Sequence, residues 1–314
     1  MADLVARFDR LPWLPAQAAR DWVRYRNDEG ASGLLRRLPP AQAVEPLISV
    51  VIPTADADRG GYFRRLLTQL GAQSEQRFEL FVVKGDRRQG RAINIAADLA
   101  CGRYLLTLDD DSALPDPDAL ARLLAAMEAH PEIGMAGGNN TIPENAPPFV
   151  RRAMREIPRR SWRPVETITD SDLAEHPCLM MRAGLFRRVG GENECIPRGL
   201  DPYLRQRFRE AGARVVVVPG VIYHHLPPAT FPALMRQFHR NGRQAAFANI
   251  HHPQWVIETP AHHGDFVARL PPWRRALRWP LRLAGALLTG RSIWFCCQLA
   301  YLAGFVGCIL RRGR

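Results

Sequence analysis

The stretch YLLTLDDDSALP, residues 104–115, places three consecutive aspartates, Asp109, Asp110 and Asp111, directly after a run of apolar and β-prone residues. Neighbouring carboxylates repel one another, so a folded protein keeps such a cluster only where something compensates the charge. Strand-like and helix-like segments alternate before it: LISVVIP (47–53), YFRRLLTQLGAQ (62–73), FELFVVKGD (78–86) and RAINIAADLACG (91–102). This alternation predicts an α/β fold in which helices flank a mostly parallel sheet.

Several polar residues follow the predicted strands of this sheet. The three aspartates end the third strand, Pro53 and Thr54 end the first, and Asp86 ends the second. In open α/β sheets, ligands bind at the carboxyl ends of the strands. Converging carboxylates need a counter-charge, and hard divalent cations such as Mg²⁺ or Mn²⁺ suit oxygen ligands. The alternative is a solvated loop or a helix N-cap, where acidic residues are common. The position at the end of a strand favours the metal site.

Two further motifs in the second half carry possible chemistry. Asp201 begins the predicted helix of GLDPYLRQRF, where an N-cap and a general base are both possible roles, and position alone favours the cap. His224 and His225 end a valine-rich strand. Because adjacent strand residues point to opposite faces, only one of the two histidines is expected to reach a site.

Together these segments resemble the family 2 glycosyltransferases over roughly residues 46–248. PLISVVIPT is similar to the opening strand of the family. GRAINIAADLACGRYLLTLDDDSALPDPDAL resembles its helix followed by the metal-binding DxD strand, and GLDPYLRQRFREAGARVVVVPGVIYHH resembles its acidic helix start and closing histidine. The resemblance implies a GT-A (Rossmann-like) fold and a metal-dependent, inverting transfer from a nucleoside-diphosphate sugar.

The resemblance also implies roles for individual residues around the donor. Asp109 and Asp111 take the two DxD positions, so that Asp111 binds the metal and Asp109 binds the ribose or the metal. Asp110 holds the variable middle position and is counted with the donor-binding residues. The other residues that the resemblance places in the donor pocket are Pro53, Thr54, Asp86, Arg91 and Asn94.

For the chemical step, the resemblance implies that Asp201 is the catalytic base. It implies that His224 completes the metal or diphosphate contacts, with His225 as the alternative. The chain departs from the family pattern at Leu200, where an acidic residue is common, and it lacks a close match to the Gln-x-x-Arg-Trp motif of processive synthases. We therefore expect transfer of a single sugar.

The predicted organisation has three parts: an N-terminal helical arm (1–45), the GT-A domain (46–250) and basic, apolar C-terminal helices (251–314). Residues 292–310 form 19 positions without a charge, flanked by arginines, which just meets the length of a membrane-spanning helix. The preceding mixture of Arg, Trp and Leu is typical of an interfacial helix. We expect attachment to the cytoplasmic face of the cell membrane, peripherally or through this helix. The alternative is a cytoplasmic protein in which the tail packs on the catalytic domain.

Composition limits the class of partner. The net charge is +12, and no acidic residue follows Asp265, which indicates an anionic partner surface, either nucleic acid or lipid headgroups. With the apolar tail, lipid is favoured and no nucleic acid is expected. The six cysteines form no CxxC pair, so neither a zinc site nor a disulfide framework is expected, and the N-terminus predicts no signal peptide.

The expected acceptor is a glycan or a lipid-linked molecule in the synthesis of cell-envelope polysaccharide or glycolipid. One alternative is a sugar nucleotidyltransferase, although TADADRGGYF after the first strand is acidic, whereas that class needs a basic phosphate loop. The other is a GT-A-like binding module that has lost catalysis, which the intact aspartates argue against.

Overall fold

The computed structural model describes residues 33–37, 45–86, 88–196, 199–260, 263–264 and 271–311, the first range by its backbone alone. Gly33–Arg37 is a strand, so the predicted helical arm is wrong for these residues. Their backbone pairs with the edge of the sheet, and this tertiary pairing decides their conformation. The rest of the arm, residues 1–32 and 38–44, lies outside the described residues.

The described residues form nine strands in one mixed sheet and nine α-helices. The strands are β1 (Gly33–Arg37), β2 (Ile48–Thr54), β3 (Phe78–Lys84), β4 (Tyr104–Thr107), β5 (Ser112–Ala113), β6 (Ile133–Asn140), β7 (Thr169–Asp170), β8 (Leu179–Arg182) and β9 (Arg214–His225). The helices are α1 (Tyr62–Gly71), α2 (Gln89–Leu99), α3 (Ala119–Ala129), α4 (Pro148–Glu156), α5 (Ala183–Arg188), α6 (Leu200–Glu210), α7 (Phe231–His251), α8 (Pro272–Leu288) and α9 (Ser292–Leu310).

The order of the strands is β1-β3-β2-β4-β8-β6-β9-β5, and β7 pairs with β9 outside this path. Strands β3, β2 and β4 run parallel, as do β6 and β9, whereas β8 is antiparallel to both of its neighbours. The predicted α/β class is confirmed, with a mixed sheet where a mostly parallel one was expected. The carboxyl ends of β2, β3, β4 and β9, which carry the candidate residues, therefore lie at the same end of the sheet.

Two hydrophobic layers cover the two faces of the sheet. Successive side chains of β2 point into different layers. Val50 packs in the layer with α1 and α3, whereas Val51 packs in the layer with α2, α5 and α6. Both valines are fully buried. Strands buried on both faces require a continuous apolar sequence, which explains why LISVVIP and FELFVV lack polar alternation.

The helices α7 and α9 pack together through two glycines. A Cβ atom added to Gly242 of α7 would lie 1.9 Å from the carbonyl oxygen of Tyr301, and one added to Gly304 of α9 would lie 2.0 Å from that of His239. The backbones therefore approach more closely than any side chain would permit. Helix α9 is the one described helix with the length and apolar composition of a membrane span. It also packs against α4 and α7 in one hydrophobic cluster.

Candidate functional site

The turn after β4 brings the aspartates to the end of β9. The backbone N–H of Ser112 donates to the carbonyl oxygen of Asp109 at 3.0 Å, which reverses the chain. The two residues of β5 then pair antiparallel with the last two of β9, so that Ser112 lies opposite His225 and Ala113 opposite His224. The strand does not continue through the aspartates. The turn, rather than strand alternation, sets their directions.

Asp109, Asp111 and His225 form a group whose ligand atoms all lie within 4.8 Å of one another. The Nε2 atom of His225 is 3.2 Å from Oδ1 of Asp111 and 3.8 Å from Oδ2 of Asp109. The side chain of His224 points away, with Nδ1 2.9 Å from the carbonyl oxygen of Thr141. The choice of His224 is therefore corrected to the alternative, His225, because the pairing of β5 with β9 turns His225 toward the aspartates.

Asp110 shares one partner, Arg59, with Asp111 and has a second partner of its own, Thr54. The hydroxyl of Thr54 donates to its Oδ2 at 2.6 Å, and the guanidinium of Arg59 lies 3.2 Å from its Oδ1. The same guanidinium donates to Oδ2 of Asp111 at 3.0 Å. Arg59 has a φ of 53°, in the left-handed region that non-glycine residues rarely adopt. The loop after β2 thus accepts backbone strain while its arginine compensates the aspartate charge.

Burial and neighbouring charges together raise the pKa values of Asp109 and His225 and lower that of Asp111. Burial raises the pKa of Asp109 to about 6, against the lowering effect of His225. For Asp111, burial acts in the same direction, but the hydrogen bond and charge of His225, together with Arg59, hold its pKa at about 2. Burial acts to lower the pKa of His225, yet Asp111 raises it above its ordinary value. The group therefore holds a strongly ionised carboxylate beside one that protonates readily.

This donor set fits a divalent cation. Two carboxylates and one imidazole with their ligand atoms this close match the mixed oxygen and nitrogen ligands of Mn²⁺, and the carboxylates alone suit Mg²⁺. The amide of Gln89, the first residue of α2, donates to Oδ1 of Asp109 at 2.8 Å and orients that carboxylate. Bonds of this kind from outside the ligand set typically fix the direction of a ligand.

Asp201 lies at the start of α6 and is coupled to a buried histidine. The backbone N–H of His176 donates to Oδ1 of Asp201 at 2.8 Å, and the His176 ring lies 3.9 Å from the same oxygen. The ring atom concerned is Nε2, and the same Nε2 is 2.8 Å from Oε1 of Glu192. The side chain of Asp201 remains 27% exposed, so it is open to a substrate.

The ring of His176 controls the charge around Asp201. Burial acts to lower the pKa of His176, but Asp201 and Glu192 raise it to about 9. Burial acts to raise the pKa of Asp201, yet the charges of His176 and Arg205 keep it below its ordinary value. Asp201 is therefore ionised at neutral pH, the state that a general base requires.

A single cavity of about 1280 Å³ joins these groups. Asp109 and His225 line one part of it, and Asp201 lines another. The cavity continues along α7 to the inner faces of α8 and α9, where arginines, tryptophans and aliphatic side chains alternate. The arrangement places a cation-binding group and an ionised carboxylate in the same space, beside a basic and partly apolar extension.

The other predicted donor-pocket residues do not line this cavity. Asp86 is bound by Arg91, with Nε 2.9 Å from Oδ2, and the Asp86 side chain is only 1% exposed. Asn94 stabilises the turn after α5, because its amide oxygen accepts a hydrogen bond from the backbone N–H of Glu192 at 2.8 Å. Pro53 and Thr54 lie at the end of β2, with Thr54 engaged by Asp110. Their roles toward a donor stay predictions.

Four residues of the site were not identified from the sequence: Arg59, Gln89, His176 and Glu192. Arg59 lies in a loop that also contains two aspartates and two alanines in no clear pattern, and Gln89 lies one residue before the stretch that carries the resemblance. His176 and Glu192 belong to different segments, each with other polar residues beside it, and they come together only in the fold. The sequence offered no signal for that pair.

Comparisons with known proteins agree with this geometry. Residues 72–190 match the model of glycosyl transferase family 2. The matched range contains α2, the three aspartates and the start of the turn after α5. This match confirms the resemblance found in the sequence. No curated protein matches the chain.

Among solved structures, the fold is similar to the mannosyltransferase PcManGT from Pyrobaculum calidifontis in complex with GDP-Man and Mn²⁺. That likeness has a TM-score of 0.54 at 14% identity and covers 99% of this chain and 98% of that one. The S. aureus TarS 1-349 structure in complex with UDP-GlcNAc matches with a TM-score of 0.46 at 15% identity over 64% of this chain and 66% of that one. The first of these shows a shared GT-A fold.

Proposed function

We propose that this chain, whose residues 72–190 match the model of glycosyl transferase family 2, transfers one sugar from a nucleoside-diphosphate sugar to an acceptor hydroxyl, with inversion at the anomeric carbon. The observation that carries the proposal is the shared cavity, which holds Asp109 and His225 in one part and Asp201 in another. The PcManGT structure, which contains GDP-Man and Mn²⁺, supports a donor and a divalent cation of these kinds.

Asp109, Asp111 and His225 are the residues that would hold a divalent cation. When bound, such a cation stabilises negative charge on the departing diphosphate. Arg59 already contacts Asp110 and Asp111, so its guanidinium is in position to bind the same diphosphate. Mg²⁺ and Mn²⁺ both suit the set.

Asp201 is the proposed general base. Its ionised, partly exposed carboxylate accepts the proton of the acceptor hydroxyl, whose oxygen forms a bond to the anomeric carbon. The bond from that carbon to the diphosphate breaks, and the nucleoside diphosphate leaves with the electron pair. Attack from the side opposite the leaving group inverts the configuration. His176 keeps the Asp201 carboxylate oriented through its backbone N–H.

The experiment compares Asp201→Asn with Asp111→Asn in the full chain. Asp201→Asn is expected to lower transfer by about 10²–10⁴-fold, the range for loss of a general base, while Mn²⁺-dependent binding of UDP or GDP stays intact. Asp111→Asn is expected to lose that metal-dependent binding as well. The measurements are calorimetric binding with and without Mn²⁺ and chromatography of products from a panel of nucleotide sugars.

Turnover of the Asp201→Asn variant at the wild-type rate would contradict the role of the base. Release of pyrophosphate instead of a nucleoside diphosphate would identify a nucleotidyltransferase. If no nucleoside diphosphate binds in the presence of Mg²⁺ or Mn²⁺, the donor site itself is refuted.

The proposed location is the cytoplasmic face of the cell membrane, in the synthesis of cell-envelope polysaccharide or glycolipid. The supporting observation is an outward apolar face on α8, where Trp273, Leu277, Leu281 and Leu288 share one side of the helix and are 57–87% exposed. Arginines interleave with them, as on helices that lie in the lipid headgroup region. Helix α9 adds exposed apolar residues to the same part of the molecule.

A further inference from the structure

We propose that the part of the cavity between Asp201 and α7 is an acceptor subsite, in which Arg160 binds a phosphate group of an amphipathic, lipid-linked acceptor. This inference rests on the proposed glycosyl transfer and specifies its second substrate.

Arg159 and Arg160 both line the cavity but differ in their partners. Arg159 is fully engaged, because its guanidinium pairs with Glu175 and also donates to the carbonyl oxygens of Asp172 and Pro260. The side chain of Arg160 makes one hydrogen bond, to Oε1 of Gln237 at 3.3 Å. Among the described residues, no carboxylate oxygen lies within 4.0 Å of its guanidinium. Glu175 and Asp111 act on Arg160 from a longer distance. A half-buried cation without a directly paired counter-charge is costly, and an anionic ligand removes that cost.

The backbone holds Arg160 beside the reaction centre. The amide nitrogen of Asn140 donates to the carbonyl oxygen of Arg160 at 2.8 Å, and its amide oxygen accepts the N–H of His225 at 3.0 Å. One side chain therefore fixes Arg160 next to the histidine of the cation-binding group. The planar guanidinium fork suits a phosphate oxygen pair. A phosphate bound here lies in the same cavity as the proposed base.

The helical wall of this subsite provides a second observation. Asn241 of α7 is only 3% exposed and lines the cavity, yet its Oδ1 atom has no hydrogen-bond partner among the described residues. Gln298 of α9 is similarly buried at 4% exposure and lines the same space. A carbonyl oxygen buried without a donor indicates a missing ligand group such as a sugar or lipid hydroxyl.

The apolar side chains of the cavity favour a lipid. Along α9, the helix with the composition of a membrane span, the lining includes Trp294, Tyr301, Phe305 and Ile309. An acceptor with a charged head and an apolar chain would place the head at Arg160 and the chain along these side chains. A free sugar phosphate would leave the apolar part uncovered, which is unfavourable.

The test measures binding of farnesyl phosphate, farnesol and inorganic phosphate to the full chain by intrinsic tryptophan fluorescence, since Trp279 and Trp294 line the cavity. Wild type is expected to bind farnesyl phosphate more tightly than farnesol by about tenfold or more, the effect of a charge-assisted hydrogen-bond pair. Arg160→Gln should abolish that preference. Arg236→Gln, an exposed arginine of α7 outside the cavity, should keep it. Arg160→Lys should restore part of it by returning the charge.

Binding of UDP or GDP with Mn²⁺ separates the two possible phosphate sources. It should be unchanged in Arg160→Gln, and a loss would assign Arg160 to the donor diphosphate and overturn the proposal. A retained preference for farnesyl phosphate in Arg160→Gln, or inorganic phosphate binding as tightly as farnesyl phosphate, would also overturn it. If no nucleoside diphosphate binds wild type, the proposed transfer fails, whereas the comparison of lipid probes still decides the subsite.

Discussion

His176 lies between the proposed base and a buried glutamate. Its side chain is 2% exposed, and its Nδ1 atom is 2.9 Å from the hydroxyl of Thr107 at the end of β4. Nε2 faces Glu192, and the backbone N–H holds Asp201. A protonated imidazole in this position offsets two carboxylates that would otherwise repel one another. The cluster therefore couples the charge of the site to the stability of the fold.

This coupling predicts a pH dependence of stability. The folded-state pKa of His176 is raised from 6.5 to about 9, so its contribution is fully present below about pH 6.5 and is lost as the pH rises through about 9. The free energy of unfolding should fall between pH 7 and 9.5 by an amount on the order of 1–3 kcal/mol. Urea unfolding across this range measures it.

The control is the charge-neutral double variant His176→Gln with Glu192→Gln. It removes the buried ion pair while keeping groups of similar size, so its stability should vary less over the same pH range. An equally steep decline in the double variant would show that another group is responsible.

Among single residues, the sequence identified those whose role is visible from their immediate neighbours in the chain. Asp109 and Asp111 stand out because acidic residues are adjacent at the end of a strand. His176 and Glu192 are 16 positions apart in unremarkable surroundings, and their 2.8 Å contact is produced only by tertiary structure. Asp86 and Arg91 were both expected to face a donor, whereas their opposite charges, five positions apart, bind each other.

At the level of elements, β5 decided which histidine reaches the site. This strand has two residues, too few for a recognisable pattern, and a shift of one residue would exchange the directions of His224 and His225. The parallel core was predictable, because apolar strands alternating with helices are a local signal. The antiparallel insertion of β8 was not, since pairing between distant strands leaves no periodicity in either one.

The contact between α7 and α9 yields a prediction at this scale. Gly304→Ala places a methyl group 2.0 Å from the backbone oxygen of His239, so the helices must separate. We expect a loss of about 1–3 kcal/mol in stability, typical of overpacking. Gly307→Ala is the matched control on the same helix, because no atom lies within 4 Å of its added Cβ. The better helix propensity of alanine should leave that variant neutral or slightly stabilised.

Thermal unfolding of both variants, in the same detergent or buffer, tests this packing. Equal midpoints for Gly304→Ala and Gly307→Ala would mean that α9 does not hold the close approach to α7 in solution.

For the whole molecule, the outward apolar faces of α8 and α9 give a test of membrane attachment. The full chain should float with vesicles that contain phosphatidylglycerol and less with pure phosphatidylcholine, because the chain carries a net charge of +12. Leu281→Ser with Leu288→Ser should reduce this binding, since these side chains are 71% and 87% exposed. Ile250→Ser on α7, 43% exposed, is the control. Failure of the wild type to float with either vesicle would contradict the proposed location.

The close contact between α7 and α9 also has a consequence for how the protein matures. Helix α7 ends at His251 and α9 begins at Ser292, so α9 leaves the ribosome later, at a synthesis rate of about 5–20 residues per second. The catalytic sheet can therefore form while the inner face of α7 is still uncovered. The wall of the cavity that contains Gln298 is completed only after α9 has been synthesised. A chaperone or a lipid surface that covers α7 during those seconds would act before α9 takes its place.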